Sequence, residues 1–208
     1  MGCPSPKQVR FALLALILTF PASASEADAL AISRNIQARH FPYSTILDPI
    51  FDSPTSIQII NYTRCGDSAI WTGHYLAAEA FRYSVTHSPD ALANARRAVT
   101  GIQYLVDVTG NNVLARCLIP DDSPYAQGIQ SEEAHNGIYR SAPGNFWVGS
   151  TSRDQYSGVL FGLGAAYVLW LVGNNSANAA SQVLILIAVP FGLLSVAAVI
   201  EGVWKLDN

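Results

Sequence analysis

The feature that most constrains this chain is its first 24 residues, which contain the three parts of an export signal. Lys7 and Arg10 form a positive region, residues 11–20 are apolar, and the Ala-Ser-Ala of residues 22–24 offers small side chains at a cleavage site. The apolar run is too short to cross a bilayer, which takes about 20 residues. We therefore predict that residues 1–24 are removed and that the mature chain is exported, to the periplasm, the cell envelope or the medium.

Composition limits the partners of the mature chain. The whole sequence has a net charge of -3 and only 13% charged residues, against about 25% in ordinary soluble domains. It has no basic patch, so we expect no nucleic acid partner.

Residues 181–200 carry no charge, and this length and composition predict a transmembrane anchor. The alternative is a buried helix of a larger helical fold. We accordingly divide the chain into a signal peptide, a helical domain over residues 25–178 and an apolar helix over residues 179–208.

Two cysteines remain after cleavage, Cys65 and Cys117. An even number in an exported chain favours one disulfide. The alternative is a pair of buried free thiols, because reduced cysteine packs as a small apolar side chain.

Two helices joined by a short turn are the strongest local prediction. Asp67 is a good N-cap for a proline-free helix that ends near Thr86. After residues 88–90, apolar residues recur at three- and four-residue spacing until Thr109-Gly110. The pattern is typical of an antiparallel αα-hairpin.

The other segments give weaker patterns. We predict a short helix over residues 27–38, a short strand over residues 57–60 and a long loop over residues 111–150, which is rich in proline and glycine. Ser152 and Gln155 have the spacing of a capping box and should begin a helix that ends near Val172. The fold class is therefore mainly α.

Two segments resemble a known group of proteins. Residues 65–83, Cys-Gly-Asp-Ser-Ala-Ile-Trp-Thr-Gly-His-Tyr followed by Ala-Glu-Ala-Phe-Arg-Tyr at 78–83, and residues 151–158, Thr-Ser-Arg-Asp-Gln-Tyr-Ser-Gly, are similar to segments of secreted bacterial proteins with α/α-toroid, six-hairpin-glycosidase-like domains. The resemblance covers about residues 27–172. It implies helical hairpins around a central cavity and a carbohydrate ligand.

The chain is too short for the complete fold that the resemblance implies. A six-hairpin toroid has about twelve helices, at typical lengths of about 10–14 residues plus loops, and we count fewer than half of them. We therefore expect helical hairpins of an incomplete α/α-toroid type, with a C-terminal apolar helix.

Carbohydrate chemistry suggests the candidate site residues. Glycoside hydrolysis uses two carboxyl groups, and sugar rings stack on aromatic side chains. Our catalytic candidates are Asp67, Glu132 and Glu133, and our substrate-binding candidates are Trp71, Tyr75, His135, Arg153 and Asp154.

Each candidate also has a structural interpretation. Asp67 and Asp154 can cap helices, Glu79 and Arg82 can form an i,i+3 surface pair, and aromatic side chains often belong to the core. Residues 132–135 contain one Glu-x-x-His, half of a di-iron motif with no second copy, so we expect neither a metal nor another cofactor.

Two functions follow from these patterns. The first is an exported, toroid-like protein that binds or hydrolyses carbohydrate. The second is a non-catalytic envelope protein, anchored by residues 181–200, whose helical domain binds a partner. A cavity with two facing carboxylates favours the first function, and a filled core favours the second.

The export signal gives a direct test. Because small residues at 22–24 follow Pro21, cleavage should occur after Ala24. N-terminal sequencing of the exported protein should therefore begin at Ser25. A mature product that retains residues 11–20 would contradict the prediction.

Overall fold

The computed structural model describes residues 25–141 and 143–174, and this part of the chain is mainly helical. Its helices are α1 (Glu26–Asn35), α2 (Ser68–Thr86), α3 (Pro89–Asp107), α4 (Ala126–Glu133) and α5 (Arg153–Asn174). The predicted signal peptide and the predicted apolar helix over residues 181–200 lie outside the described residues. Within the described ranges, no helix is long and apolar enough to cross a membrane.

Helix α1 belongs to a compact unit that ends at Asn35, and the rest of the chain forms a second unit. Acidic Glu26 and Asp28 lie in the first turn and Arg34 lies in the last, which suits the helix dipole. The predicted helix over residues 27–38 thus ends earlier, and a separate π-helical turn follows over Ile36–His40.

The predicted αα-hairpin is confirmed by α2 and α3, which are connected by only two residues. His87 makes the turn in the left-handed conformation, with φ 51°. Near the turn, the guanidinium of Arg82 lies 2.6 Å from Glu79 and 2.8 Å from Asp90. The expected i,i+3 pair of Glu79 and Arg82 is therefore present, but Glu79 is only 2% exposed, so its interpretation as a surface pair is wrong. The contact with Asp90, at the start of α3, links the two helices.

Helix α5 packs along α2 through glycines. Gly73 of α2 meets Gly158 and Gly162 of α5, and a Cβ on Gly73 would overlap the Gly158 backbone. A Cβ on Gly158 would lie 2.6 Å from Cγ1 of Ile70. Small residues let the two backbones approach, so the glycines account for the close packing of the two helices.

Two small antiparallel sheets complete the described fold. Strand β1 (Asp48–Phe51) pairs with β2 (Ile59–Thr63), and β5 (Asn145–Val148) lies between β3 (Cys117–Pro120) and β4 (Ile138–Tyr139). The predicted loop over residues 111–150 is therefore wrong, because this segment contains the second sheet and α4. Its strands are two to four residues long, too short for a clear alternating pattern.

The core has two parts. The first lies among α2, α3 and the start of α5, and its largest fully buried side chains are Phe41, Leu76, Leu105 and Leu114. The second surrounds the disulfide and the larger sheet, with Leu47, Ile119, Ile129 and Phe146 fully buried.

The glycine contact can be tested with Gly73→Ala. This change should lower the free energy of unfolding by about 1–3 kcal/mol, the usual cost of overpacking, because the added methyl group meets the Gly158 carbonyl. Helix propensity alone acts in the opposite direction, by about 1 kcal/mol. Urea unfolding followed by circular dichroism measures the net effect.

The control for Gly73→Ala is Ala93→Gly, at an exposed position of α3. It should lose about 1 kcal/mol through helix propensity alone. A Gly73→Ala protein more stable than the wild type would show that the helices do not depend on this close approach.

Candidate functional site

The predicted disulfide between Cys65 and Cys117 is confirmed, with a Cα–Cα distance of 5.6 Å. Both cysteines are fully buried. The bond joins the residues just before α2 to the first residue of β3. It therefore connects the helical part of the core to the sheet.

Arg116, next to Cys117, strengthens this connection. Its guanidinium donates hydrogen bonds to the carbonyl oxygens of Gly66 and Ser150 and to the hydroxyl of Ser152, each at 2.9 Å. Its own carbonyl accepts a hydrogen bond from the N–H of Ala69 in the first turn of α2, at 3.0 Å. One arginine thus brings together the starts of α2 and α5.

Glu133, a predicted catalytic residue, holds the same region from the end of α4. Its carboxylate is buried and accepts hydrogen bonds from the Gly66 N–H at 2.7 Å and from the Asn136 amide at 2.8 Å. A Cβ on Gly66 would lie 2.7 Å from Glu133 Oε2, so the carboxylate can reach the backbone only because residue 66 is glycine.

Glu132 contacts Thr63 and Arg64, which lie just before Cys65 in the sequence. Its carboxylate accepts hydrogen bonds from the Thr63 hydroxyl and from the Arg64 N–H, the latter at 3.3 Å. Arg64 has a φ of 54°, a conformation that costs energy in a residue with a side chain. Glu132 therefore helps to hold a strained residue in place.

Asp67 is the N-cap residue of α2, as predicted, but its side chain makes no capping hydrogen bond. Instead, the fully buried Gln155 accepts a hydrogen bond from the Ile70 N–H at 2.9 Å and donates one to Asp67 Oδ1 at 3.2 Å. The expected capping box of Ser152 and Gln155 is replaced by this contact. Gln155 of α5 thus caps α2 from a distant part of the chain.

A pocket of about 470 Å³ lies beside the first turns of α2. Trp71 and Tyr75, two predicted substrate-binding residues, both line it, and Trp71 is 48% exposed. Tyr75 is fixed by a hydrogen bond from Gln37 at 2.9 Å and by the ring of Phe41 at 5.5 Å. The full lining is Ile36, His40, Ile46, Asp48, Arg64, Trp71, His74, Tyr75 and Ala78.

Three charged or ionisable groups meet at one side of this pocket. Asp48 lies 3.7 Å from the ring of His40 and 3.8 Å from the guanidinium of Arg64. The pairing of Asp48 with Thr63 in the β1–β2 ladder brings Arg64 there. His40 is brought near Asp48 by a turn. In this turn the Leu47 N–H donates a hydrogen bond to the His40 carbonyl at 2.8 Å.

His74, on α2, also lines this pocket. Its Nδ1 lies 2.8 Å from the Ile70 carbonyl, and a carbonyl oxygen only accepts hydrogen bonds. In the neutral ring the proton is therefore on Nδ1 and Nε2 has the lone pair. His74 can then accept a hydrogen bond from a hydroxyl group.

The other predicted site residues do not line this pocket in the part of the chain that the structure describes; they are Asp67, Glu132, Glu133, His135, Arg153 and Asp154. His135 is exposed, with Nδ1 3.1 Å from the Glu132 carbonyl. Arg153 and Asp154 are exposed in the first turn of α5, where a hydrogen bond from Ser152 lowers the pKa of Asp154.

Four polar residues of the pocket were not predicted from the sequence: His40, Asp48, Arg64 and His74. Only His74 had a usable signal, because it lies three residues after Trp71 and so beside it on the helix. The other three come from separate loop and strand ends, and no local pattern connects them.

A second concavity, of about 570 Å³, lies between α2, α3 and α5. It is lined by apolar side chains such as Leu76, Val99 and Leu163, with few polar groups. A ligand rich in hydroxyl groups would find few hydrogen-bond partners there. Among the described residues, no group of three metal-binding side chains lies close enough to hold a metal ion.

No family model, curated protein or solved structure matches this sequence. The resemblance to six-hairpin-glycosidase-like proteins therefore rests on the two quoted segments alone.

The role of Gln155 can be tested with Gln155→Glu. The new carboxylate keeps an acceptor for the Ile70 N–H but faces Asp67, so the free energy of unfolding at pH 7 should fall by about 1–3 kcal/mol. Repulsion raises the pKa of this carboxyl pair in the folded state. The loss should therefore shrink as the pH falls from 7 to 4, because the folded state then binds the extra proton more tightly.

Gln155→Met is the matched control, with similar length and no such hydrogen bonds. Its stability loss relative to the wild type should be the same at both pH values. A Gln155→Glu deficit that does not change with pH would mean that Asp67 and residue 155 are not close neighbours.

Proposed function

We propose that this protein is exported and binds carbohydrate in the Trp71–Tyr75 pocket. The observation that supports the proposal most is the half-exposed Trp71 beside Asp48 and Arg64. An aromatic ring this exposed is available to a ligand, and the neighbouring charged groups provide hydrogen bonds at its edge.

The chemistry of the pocket suits a sugar ring. A pyranose has C–H groups on its faces and hydroxyl groups around its edge. Trp71 offers an exposed apolar ring surface, whereas Tyr75 is only 6% exposed and belongs to the core. Asp48 and His74 offer acceptors, and Arg64 offers donors. Binding sites with mainly apolar walls and a few converging polar groups are common for small ligands.

The carboxylates favour binding over hydrolysis. Glycosidases use two carboxyl groups on either side of the scissile bond, and Asp48 is the only carboxylate among the pocket residues that the structure describes. Glu132 and Glu133 instead bind backbone N–H groups. We therefore propose a carbohydrate-binding protein that does not hydrolyse its ligand.

The resemblance to secreted six-hairpin-glycosidase-like proteins supports the same ligand class, and an incomplete α/α-toroid is part of this proposal. That step is an analogy of fold, which alone does not determine function. The second function, a membrane-anchored envelope protein that binds a partner, has its basis in residues 181–200, outside the described residues.

The proposal predicts that Trp71→Ala removes carbohydrate binding. The mature protein should be titrated with cello-, xylo-, chito- and galacturono-oligosaccharides by isothermal calorimetry. For a series that binds, Trp71→Ala should weaken affinity at least about tenfold, or about 1.4 kcal/mol, because the ligand loses its main apolar surface.

The control is Tyr104→Ala, which removes an aromatic ring of similar exposure, 51%, from α3. It should leave the affinity unchanged. Absence of binding by all four series, or equal effects of the two substitutions, would argue against a carbohydrate site at Trp71.

A further inference from the structure

Three aromatic rings continue from the pocket across the surface. The ring centroids of Trp71 and His74 are 5.7 Å apart, and those of His74 and Phe161 are 5.6 Å apart. Trp71 and Phe161 are 48% and 50% exposed, and His74 is exposed as well. We call this set the aromatic row; it begins in the pocket on α2 and ends on α5.

The glycine contact between the two helices creates the aromatic row. Trp71 and His74 are neighbours on one helix, but Phe161 comes from another part of the chain. It reaches His74 because Gly158 and Gly162, on either side of it in the sequence, bring the α5 backbone against Gly73. Close helix packing therefore extends the aromatic surface beyond the pocket.

The chemistry of the aromatic row favours a sugar chain over an apolar partner. Its central ring is an imidazole that hydrogen-bonds the Ile70 carbonyl, at 2.8 Å, and in its neutral form has a lone pair on Nε2. A surface for lipid or for an apolar protein would be expected to be continuously apolar. The aromatic row offers the apolar faces of Trp71 and Phe161 with an acceptor, His74, between them. A sugar ring has both C–H faces and hydroxyl groups, so it can use both kinds of contact.

Resting on the carbohydrate site proposed above, we propose that the ligand is an extended chain of pyranose rings. One end occupies the Trp71–Tyr75 pocket, which His74 also lines, and the following rings continue over Phe161. A monosaccharide or disaccharide would use only part of this surface. The ligand class is then an oligosaccharide or polysaccharide, bound along its length.

Chain length is the variable that tests this inference. The disaccharide and the hexasaccharide of whichever series binds, among cello-, xylo-, chito- and galacturono-oligosaccharides, should be titrated into the mature protein by calorimetry. The hexasaccharide should bind the wild type about tenfold more tightly than the disaccharide. Phe161→Ala should remove most of that gain and leave the affinity for the disaccharide unchanged.

The matched control is Phe81→Ala, because Phe81 is 49% exposed on α2 and lies outside the aromatic row. It should change neither affinity. Thermal unfolding of both variants should match the wild type, since each side chain is half exposed.

The outcomes separate the two proposals. If the disaccharide binds in a Trp71-dependent way but the hexasaccharide binds no more tightly, the extended chain is wrong and the pocket proposal stands. If neither sugar binds in any series, both proposals fail. If Phe161→Ala, but not Phe81→Ala, abolishes binding to phosphatidylglycerol–phosphatidylethanolamine vesicles, the aromatic row contacts lipid and the extended sugar chain is overturned.

Discussion

The described part of the second unit depends on how the first turn of α2 is held. The N–H groups at the start of a helix have no partners inside it, and here they bond to the Arg116 carbonyl and the Gln155 side chain. The disulfide at Cys65 adds a covalent connection just upstream. Segments from three parts of the chain therefore meet at one helix end. These contacts fix the direction of the α2 axis. The axis in turn fixes the positions of Trp71 and Tyr75.

The acidic residues show how the same side chains can suggest chemistry in a sequence and serve structure in a fold. Glu132 and Glu133 are adjacent, as a catalytic pair could be, yet each accepts hydrogen bonds from the backbone between residues 63 and 66. A buried carboxylate is costly unless hydrogen bonds compensate it, and Glu133 receives two. Glu132 helps to position the strained Arg64, which lines the pocket. The carboxylate that lines the described pocket is that of Asp48.

Local patterns predicted the α2–α3 hairpin but missed α4 and the larger sheet. The hairpin of α2 and α3 was predictable because periodicity and the turn at Pro89 are properties of neighbouring residues. The strands Cys117–Pro120 and Asn145–Val148 pair across more than twenty residues, and their short length conceals the alternation of buried and exposed positions. The pocket was predicted only in part. Trp71 and Tyr75 share a helical stripe and could be found from the sequence. His40, Asp48 and Arg64 come together only through the pairing of β1 with β2 and a turn.

The sequence by itself therefore determined the α2–α3 hairpin, since the hairpin follows local periodicity. It favoured a disulfide between Cys65 and Cys117 without excluding free thiols, and the fold brings the two cysteines together. Only the tertiary structure decided what the polar side chains do. Gln155 caps α2 from 85 residues away and Glu133 holds Gly66 from 67 residues away. The physical reason is that a hydrogen-bond donor or acceptor bonds to whichever partner the packed fold places beside it, and that partner can lie anywhere in the chain.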